Sequence, residues 1–457
     1  MNLKRRKLLY YFFALIFLVW GAYLIVSTQG FVFDWEKVRL VKTGGIYLKF
    51  IPSDAIVSLN GEAVRESPGI LNRGVLIDDL IPDTYHVAIE KKGTVGWEKD
   101  LNVLSGIITS ASNIRLWNIS PTHELVATAT TPYFSPVANG TVLKDEEGNL
   151  TVYGKQLRGD SVFAAKNDSK WIITETEKGH LFFTDTENPE GAINLYEIFN
   201  SLKTRQLELP GNVKIRHARI HPFSDEKVII ATEQSIYSID LKRIMIEKMT
   251  LSTSTMDFLV IRGSTVFGIS KDGFVQGTNL LLKNNFSFVM TTSTELISEI
   301  SIDDSGSRIA FEDTEGSLFL YDRSAETLLR VGARAATFAL SSDGTKLIWM
   351  NNDKKIFVYY AEKDDGDLKL PKGSVTEILV SNRYKLGDTI LWIPAFDSHA
   401  FIKTNGSLLA VELDPRGTAN TATIIENVHD IFLDDSARLN IIKKEGTVFS
   451  LFNVEIK

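Results

Sequence analysis

The hydrophobic pattern divides the chain into one long apolar run near the N-terminus and a much longer region of short alternating segments. The run, Leu8–Val26, contains nineteen residues without a charged side chain. A helix rises about 1.5 Å per residue, so this run spans roughly 28 Å, close to the hydrocarbon thickness of a bilayer. The pattern therefore predicts a transmembrane helix over residues 8–26.

A cleaved signal peptide is the alternative interpretation of this run. Signal peptides carry an apolar region of about 7–15 residues followed by a cleavage site of small residues. The run here is longer, and the following Ser27-Thr28-Gln29-Gly30-Phe31 lacks such a site. We therefore predict an uncleaved signal anchor. Because Lys4-Arg5-Arg6-Lys7 precede it and basic flanks stay inside, residues 1–7 form a cytoplasmic tail and the C-terminal domains are extracytoplasmic.

After the span the apolar periodicity changes from helical to alternating. Residues 27–43 are too polar to continue the span and are predicted to form a stalk. From Gly44 apolar residues recur at every second position, and Asn60-Gly61 is a strong hairpin signal. Several short strands separated by turns over residues 44–118 predict a small β-sandwich.

This segment resembles the PEGA domain, a small extracytoplasmic β-module. The resemblance covers about a sixth of the chain and differs from the family at Asp83, in place of a glycine, and at Gly93-Thr94, in place of Gly-Tyr. Because the shared motifs are turn and core residues, the resemblance implies a fold and a location but no chemistry. The matching pieces are GGIYLKFIPSDAIVSLNGE (Gly44–Glu62) with its Pro52-Ser53-Asp54-Ala55, LIPDTYHVAIEKKG (Leu80–Gly93), and Trp97 ahead of Leu101-Asn102-Val103.

Residues 119–457 contain a repeat of about 40 residues, in which each unit has strands separated by Asp/Ser/Gly turns. In the clearest pair, Gly306 and Gly344 lie 38 residues apart. A period near 40 with several strands per unit is typical of a β-propeller. The units are Phe134–Gly154, Phe163–Asp185, His221–Asp240, Phe258–Gly277, Ile300–Asp322, Phe338–Tyr360, Tyr384–Glu412 and Ile431–Phe452.

We count eight units, with seven blades as the alternative because the first two units are closely spaced. The turns resemble those of WD-repeat-like propellers of bacterial envelopes, most clearly at Ser341-Ser342-Asp343-Gly344 and Ser135-Pro136. The segment Asn188–Asn212 is predicted to be an insertion, with a short helix within Ile193–Leu202. The predicted fold class is all-β: a transmembrane helix, a PEGA-like sandwich, and a seven- or eight-bladed propeller.

Charge and composition narrow the possible partners. The net charge is −7, and residues 4–7 contribute +4, so the rest of the chain carries −11. This acidic balance argues against nucleic acid as a partner, since phosphate binding requires clustered Lys and Arg. The chain has no cysteine, which excludes disulfides, Cys-zinc sites and thiol catalysis.

The sequence offers no catalytic, cofactor-binding or metal-binding residue, and we predict no cofactor. His217 and His221 lie four apart in a predicted strand, too far to share a metal. The acidic pairs Asp303-Asp304 and Asp434-Asp435 recur at repeat turns, where aspartate accepts backbone hydrogen bonds. Asp364-Asp365-Gly366-Asp367 does not continue as a calcium loop.

The sequence thus predicts a membrane-tethered, extracytoplasmic binding or scaffold protein of the bacterial cell envelope rather than an enzyme. The partner is expected to be an envelope protein or a cell-wall glycan. The loops at Asn188–Gly211 and Tyr360–Ser374 are the predicted contact surface. The alternative is a propeller hydrolase or lyase acting on envelope glycans, which would require paired carboxylates at the channel mouth.

Overall fold

A computed structural model shows the arrangement of these segments. It describes residues 3–35, 37–64, 74–138, 140–166, 168–207, 213–233, 235–251, 256–290, 296–393, 396–433 and 438–455. The chain is mostly β, as the alternating pattern predicts, with two helices and 41 strands in its described parts.

The N-terminal segment is a helix followed by a hairpin. Helix α1 (Leu3–Thr28) contains the apolar stretch Leu9–Thr28, which has a mean hydropathy of 2.2 and is not buried against the rest of the described chain. Its length and composition are those of a membrane span, and a signal sequence shares them. Two short antiparallel strands follow, β1 (Phe31–Asp34) and β2 (Arg39–Lys42).

Two sheets with a common core form the next unit. One has the order β6-β3-β9, with β3 and β9 parallel, and the other the order β5-β4-β7-β8. Ile46, Val87 and Leu101 are among the residues buried between them. The Asn60-Gly61 turn joins β4 to β5 as its hairpin signal predicts. The strands are β3 (Gly44–Ile51), β4 (Ile56–Leu59), β5 (Glu62–Ala63), β6 (Gly74–Leu80), β7 (Thr84–Glu90), β8 (Trp97–Asn102) and β9 (Ile108–Arg115).

Eight four-stranded antiparallel sheets follow within the described residues, and we number them as blades. Each repeat unit of the sequence falls within one sheet. Blade 1 has β11 (Phe134–Val137), β12 (Gly140–Lys144), β13 (Leu150–Val152) and β14 (Lys155–Gln156); blade 2 has β15 (Ser161–Ala165), β16 (Trp171–Glu175), β17 (Leu181–Asp185) and β18 (Asn188–Asn194), followed by α2 (Leu195–Leu207); blade 3 has β19 (His217–His221), β20 (Ser224–Ala231), β21 (Ser235–Asp240) and β22 (Met245–Leu251).

The remaining blades repeat the same connectivity. Blade 4 has β23 (Phe258–Arg262), β24 (Thr265–Ile269), β25 (Phe274–Asn279) and β26 (Asn284–Val289); blade 5 has β27 (Ile297–Ile302), β28 (Arg308–Asp313), β29 (Ser317–Asp322) and β30 (Thr327–Ala333); blade 6 has β31 (Ala335–Leu340), β32 (Lys346–Asn351), β33 (Ile356–Tyr360) and β34 (Val375–Ile378); blade 7 has β35 (Leu386–Leu391), β36 (His399–Thr404), β37 (Ser407–Glu412) and β38 (Thr421–Glu426); blade 8 has β39 (Val428–Leu433), β40 (Leu439–Glu445), β41 (Val448–Val454) and the much earlier β10 (His123–Ala129).

Blade 8 closes the ring with strands from both ends of the propeller. Strand β10 pairs with β41, with His123 opposite Val454, and forms the outer edge of the blade. Closure in this way allows blades 1 and 8 to bury the sheet faces that an open array would leave exposed. The neighbouring blades bury both faces of their central strands, which explains the continuous apolar run Val228–Ala231 in β20.

The segment after blade 2 is not an insertion loop, so that part of the sequence interpretation is wrong. Asn188–Asn194 is the fourth strand of the blade, and helix α2 covers Leu195–Leu207. Leu195, Phe199 and Leu202 are buried in the cluster that joins blades 2 and 3. The helical spacing of the apolar residues was informative, but Ile193 belongs to the strand.

Candidate binding face of the propeller

One face of the propeller carries two turns from each of blades 1 to 7. Successive strands of a blade are antiparallel, so the turn between the first and second strands and the turn between the third and fourth strands lie at the same end. We call this end the turn face. Recognition by propellers and other rigid scaffolds is concentrated in such turns.

A cavity of about 900 Å³ opens on this face. Its walls are the C-terminal ends of the innermost strands and the turns that follow them, from blades 2 to 8. Contributions from seven blades place the cavity at the axis of the ring. Among its lining residues are Ala165, Pro222, Gly263, Ser342, Trp392 and Leu433.

The charges that line the cavity are mainly positive. Lys166, Arg219 and Arg262 come from three consecutive blades, and Asp304 is the carboxylate among the lining residues. Arg262 donates from Nε to the carbonyl oxygen of Ile302 at 2.9 Å, which fixes its guanidinium at the wall. These cations were not identified from the sequence. Arg219 lies within the first strand of its blade, Arg262 is the last residue of the first strand, and Lys166 directly follows the first strand.

Lys166 is partly neutralised by its neighbours. Its Nζ lies 3.1 Å from Asp168 Oδ1 and 3.4 Å from Asp225 Oδ1. Burial, together with the charges of Lys227 and Lys166, lowers the pKa of nearby His221 to about 4. His221 is therefore neutral at physiological pH and adds no charge beside Lys166.

The acidic residues of the repeat turns have different roles. Asp303 is buried and accepts a hydrogen bond from the backbone N–H of Arg308 at 2.9 Å, which is the predicted turn role. Asp304 instead lines the cavity. Asp367 contacts another domain, and the Asp434-Asp435 pair lies outside the described residues.

Exposed apolar side chains lie in turns of blades 3 and 4 on the same face as the cavity. Phe223 lies in the first turn of blade 3, Ile244 lies in the third turn of that blade, and Met245 begins its fourth strand. Leu281 and Leu282 lie in the third turn of blade 4 and are 69% and 73% exposed. Apolar side chains at the tips of adjacent turns are typical of a protein-binding surface rather than of a monomer surface.

The β-sandwich also docks on the turn face, over blades 6 and 7. The indole N–H of Trp97 donates to Glu412 Oε1 at 2.9 Å. The side-chain amide of Asn420 accepts from the backbone N–H of Glu98 at 3.1 Å and donates to its carbonyl at 3.0 Å. Asn420 thereby satisfies the outer edge of strand β8 as a neighbouring strand would.

A buried ionic network joins the two domains at the centre of this interface. Lys99 Nζ lies 2.8 Å from Glu412 Oε2 and 3.2 Å from Asp414 Oδ2, and the Lys99 side chain is 2% exposed. Arg416 pairs with Asp414 at 2.6 Å and donates to the carbonyl of Ser110 at 2.9 Å. Burial alone would raise the pKa of Asp414, but the bond from Arg416 and the charges of Lys99 and Arg416 outweigh it and lower that pKa.

The predicted contact loop Tyr360–Ser374 takes part in this interface. Its Asp367 accepts hydrogen bonds from the backbone N–H of Ser112 at 2.6 Å and from the Ser112 hydroxyl at 2.9 Å. The loop therefore contacts a domain of its own chain. This occupied loop is a weaker candidate for an external partner than the open cavity.

An aromatic cluster seals the junction where the sandwich leads into the propeller. The Trp117 ring lies 5.1 Å from His399, 5.6 Å from Phe401 and 5.7 Å from Phe396, measured between centroids. The guanidinium of Arg115 lies 4.4 Å from the Phe396 ring. Burial, then the charges of Arg115 and Lys99, lower the pKa of His399 to about 3.

The buried His399 predicts a pH-dependent stability. Its usual pKa near 6.5 returns on unfolding, so below pH 6.5 the unfolded chain takes up a proton that the folded chain does not. Stability then falls as the pH drops from 6.5 towards 3. This group alone should cost about 2 kcal/mol of unfolding free energy at pH 5 relative to pH 7.5.

Urea denaturation of the full chain in detergent at the two pH values measures this loss. His399→Gln should flatten the pH dependence by about that amount. Equal pH dependence in the wild type and His399→Gln would contradict the assignment.

The remaining predicted residues have structural roles in the described chain. No group of three or more His, Asp or Glu side chains that could hold a metal is found among the described residues. Trp171 and Trp349 each stack on a phenylalanine of the next strand, Phe183 and Phe357.

Comparison with solved structures finds other β-propellers. The chain is similar to BamB from Moraxella catarrhalis, with 13% identity over 72% of this chain and 97% of that chain, and a TM-score of 0.42. It is also similar to the β-propeller domain of Cps50 (Swd1) from Myceliophteria thermophila, with 11% identity over 73% of this chain and 100% of that chain, and a TM-score of 0.37. No family model and no curated protein matches the chain.

Proposed function

We propose that this chain is a membrane-tethered, extracytoplasmic binding protein of the bacterial cell envelope, whose propeller holds a partner protein on its turn face. The observation that carries the proposal is the axial cavity with Lys166, Arg219 and Arg262 in its wall, on the same face as the exposed apolar turns of blades 3 and 4. Cations beside apolar anchors suit a partner segment that carries both acidic and apolar side chains.

The proposed domain division gives each part a task. Residues 1–7 form the cytoplasmic tail, 8–26 the anchor, 27–43 the membrane-proximal segment, 44–118 a PEGA-like spacer and 119–457 the propeller. The buried contacts of Lys99 support a fixed spacer, because a buried ion pair is broken only at a high free-energy cost. The propeller is therefore presented at a set position relative to the spacer.

In-cell crosslinking of the full-length chain, followed by affinity purification and mass spectrometry, tests the proposal. We expect an envelope protein to be recovered with the wild type and its yield to fall on the order of tenfold with Arg219→Glu/Arg262→Glu. Lys178→Glu is the control, since it makes one such charge reversal in an exposed turn at the opposite face.

Two results would contradict the proposal. One is recovery of the chain alone; the other is an equal yield of the same partner from the wild type and the double arginine variant. Thermal unfolding of each variant verifies that the fold is retained. Loss of binding with Lys178→Glu would place the contact on the opposite face.

The second candidate, a hydrolase or lyase acting on envelope glycans, has one observation in its favour. Glu299 of β27 lies opposite Glu312 of β28. Burial raises the pKa of Glu299, and burial with the charges of Glu299 and Asp313 raises that of Glu312. Glycosidases use a carboxylate pair of this kind. Release of reducing sugar from purified cell wall, lost in Glu299→Gln/Glu312→Gln, would support this alternative.

A further inference from the structure

The stalk predicted between the span and the sandwich contains a two-stranded ribbon with one apolar side. In the register of β1 and β2, Phe31 is opposite Lys42 and Phe33 is opposite Leu40. Side chains of directly opposed residues point to the same side of a sheet, and sides alternate along each strand. Phe31, Phe33 and Leu40 therefore share one side with Lys42, which lies at its edge next to the helix; we call this side the ribbon face.

The turn of the hairpin extends the ribbon face. Trp35 and Val38 are 82% and 74% exposed, and Leu40 is 57% exposed. The Trp35 and Phe33 rings meet edge to face at 4.7 Å. Val38 has a φ of 49°, a conformation that β-branched residues rarely adopt, so turn formation alone does not explain an apolar residue there.

Phe31 and Phe33 are half-buried, but the described part of the chain leaves Trp35, Val38 and Leu40 exposed. None of the buried hydrophobic clusters of the described residues includes Phe31, Phe33, Trp35, Val38 or Leu40. An isolated two-stranded ribbon is marginally stable at best in water. The ribbon therefore needs an apolar surface to pack against.

The helix end determines where the ribbon lies. The N–H of Gly30 donates to the carbonyl of Ser27 at 2.9 Å, and the N–H of Thr43 donates to the carbonyl of Gly30 at 2.7 Å. The base of the hairpin is thus tied to the last turn of α1. At about 3.3 Å per residue, its four-residue strands keep the whole ribbon within roughly 15 Å of that helix end.

We infer that the ribbon face lies in the lipid headgroup region of the membrane that α1 spans. The inference rests on the proposed anchoring of the chain. Indole rings favour the membrane interface, and a tethered ribbon at that depth meets lipid before any other partner. On the opposite side, Arg39 Nε lies 3.9 Å from Asp34 Oδ2; the Arg39 side chain is exposed, whereas Asp34 is buried and also accepts a hydrogen bond from the backbone N–H of Lys37 at 3.1 Å.

A lipid-bound ribbon would orient the domains above it. Thr43, at the end of the ribbon, accepts a hydrogen bond from the N–H of Gly106 at 2.8 Å, within the β8–β9 loop of the sandwich. The ribbon is thus connected to the helix at one side and to the sandwich at the other. Its seating on the bilayer would limit the tilt of the sandwich and, through Lys99, of the propeller.

Quenching of tryptophan fluorescence by brominated phosphatidylcholine tests the inference on the full-length chain in vesicles. Of the seven tryptophans, Trp20 lies in the span and Trp35 on the ribbon. If the inference is correct, the indoles of Trp20 and Trp35 both contribute to the lipid-quenchable emission of the wild type. We therefore expect Trp35→Phe to lose about half of that emission. Trp171→Phe, a substitution in blade 2, should lose none of it.

The outcomes separate this inference from the proposed anchoring. A chain that does not sediment with the vesicles would overturn the anchoring itself. A vesicle-bound chain whose quenching is unchanged by Trp35→Phe would overturn the ribbon inference. Emission of Trp35 at the wavelength typical of water would then indicate a solvent-exposed ring, and blue-shifted emission would indicate a contact with protein. Leu40→Glu should also reduce the quenching of Trp35, because a carboxylate resists entry into the headgroup region.

Discussion

Lys99→Met is expected to destabilise the interface between the sandwich and the propeller and to lower the free energy of unfolding by about 3–5 kcal/mol. This is the usual cost of removing one partner of a buried ion pair. The substitution leaves the Glu412 and Asp414 side chains, which are 6% and 13% exposed, without the ammonium that neutralises them. Asp414 keeps Arg416, so the uncompensated charge is mainly that of Glu412.

Two measurements report this effect. Urea denaturation gives the lost free energy of unfolding, and hydrogen exchange should increase in β8 and in the segment 413–421 that faces it. The exposed Lys92→Met is the control and should lie within about 0.5 kcal/mol of the wild type. A Lys99→Met chain as stable as this control would contradict the assigned network.

A second substitution should restore part of the loss. In Lys99→Met/Glu412→Gln the uncompensated charge of Glu412 is removed. The glutamine amide oxygen can still accept the hydrogen bond that Trp97 Nε1 donates to Glu412 at 2.9 Å in the wild type. Recovery in the double variant would show that the cost arises from the buried charge. Without recovery, the loss would be ascribed to the packing of the lysine stem.

Phe199→Ala is expected to cost about 3–5 kcal/mol of unfolding free energy, as for other fully buried phenylalanines. Phe199 is 0% exposed, and its ring meets that of Tyr237 edge to face at 5.1 Å. It packs between α2 and blades 2 and 3, so its removal leaves a cavity in that cluster. Arg205→Ala, on the exposed side of the same helix, is the matched control.

The same observation changes the expected result of deleting Asn188–Gly211. If the segment were an insertion loop, the fold would survive its removal. Because it supplies strand β18 and the buried side of α2, we expect the deletion variant to unfold or aggregate. Denaturation curves of Phe199→Ala that coincide with those of Arg205→Ala would refute the packing role of the helix.

The sequence predicted the strands that are buried and missed those that are not. The apolar central strands of each blade gave the repeat, because burial on both faces requires a continuous hydrophobic run. The outermost strands, such as β10 and β26, are largely exposed and alternate irregularly. They carry no comparable signal, which is why the segment around β18 was interpreted as an insertion.

The position of the candidate site was not readable from local patterns. Arg219 and Arg262 are separated by 43 positions, and each alone is an ordinary cation in a strand. They become neighbours in one cavity wall because equivalent strands of successive blades converge on the axis. Aligning the repeat units would have shown that the two arginines occupy similar positions. Only the closed ring shows that these positions lie around one axial cavity.

The sequence by itself determined the apolar helix, the β-class of everything after it, the turns and the period of the propeller, because these depend on side-chain periodicity and backbone preference over a few residues. Only the tertiary structure decided that strand β10 closes blade 8, that Lys99 meets Glu412 and Asp414, and that the turns of seven blades enclose one cavity. These contacts join residues up to several hundred positions apart. The packing of whole domains determines which of these residues meet, and a local sequence pattern does not contain that information.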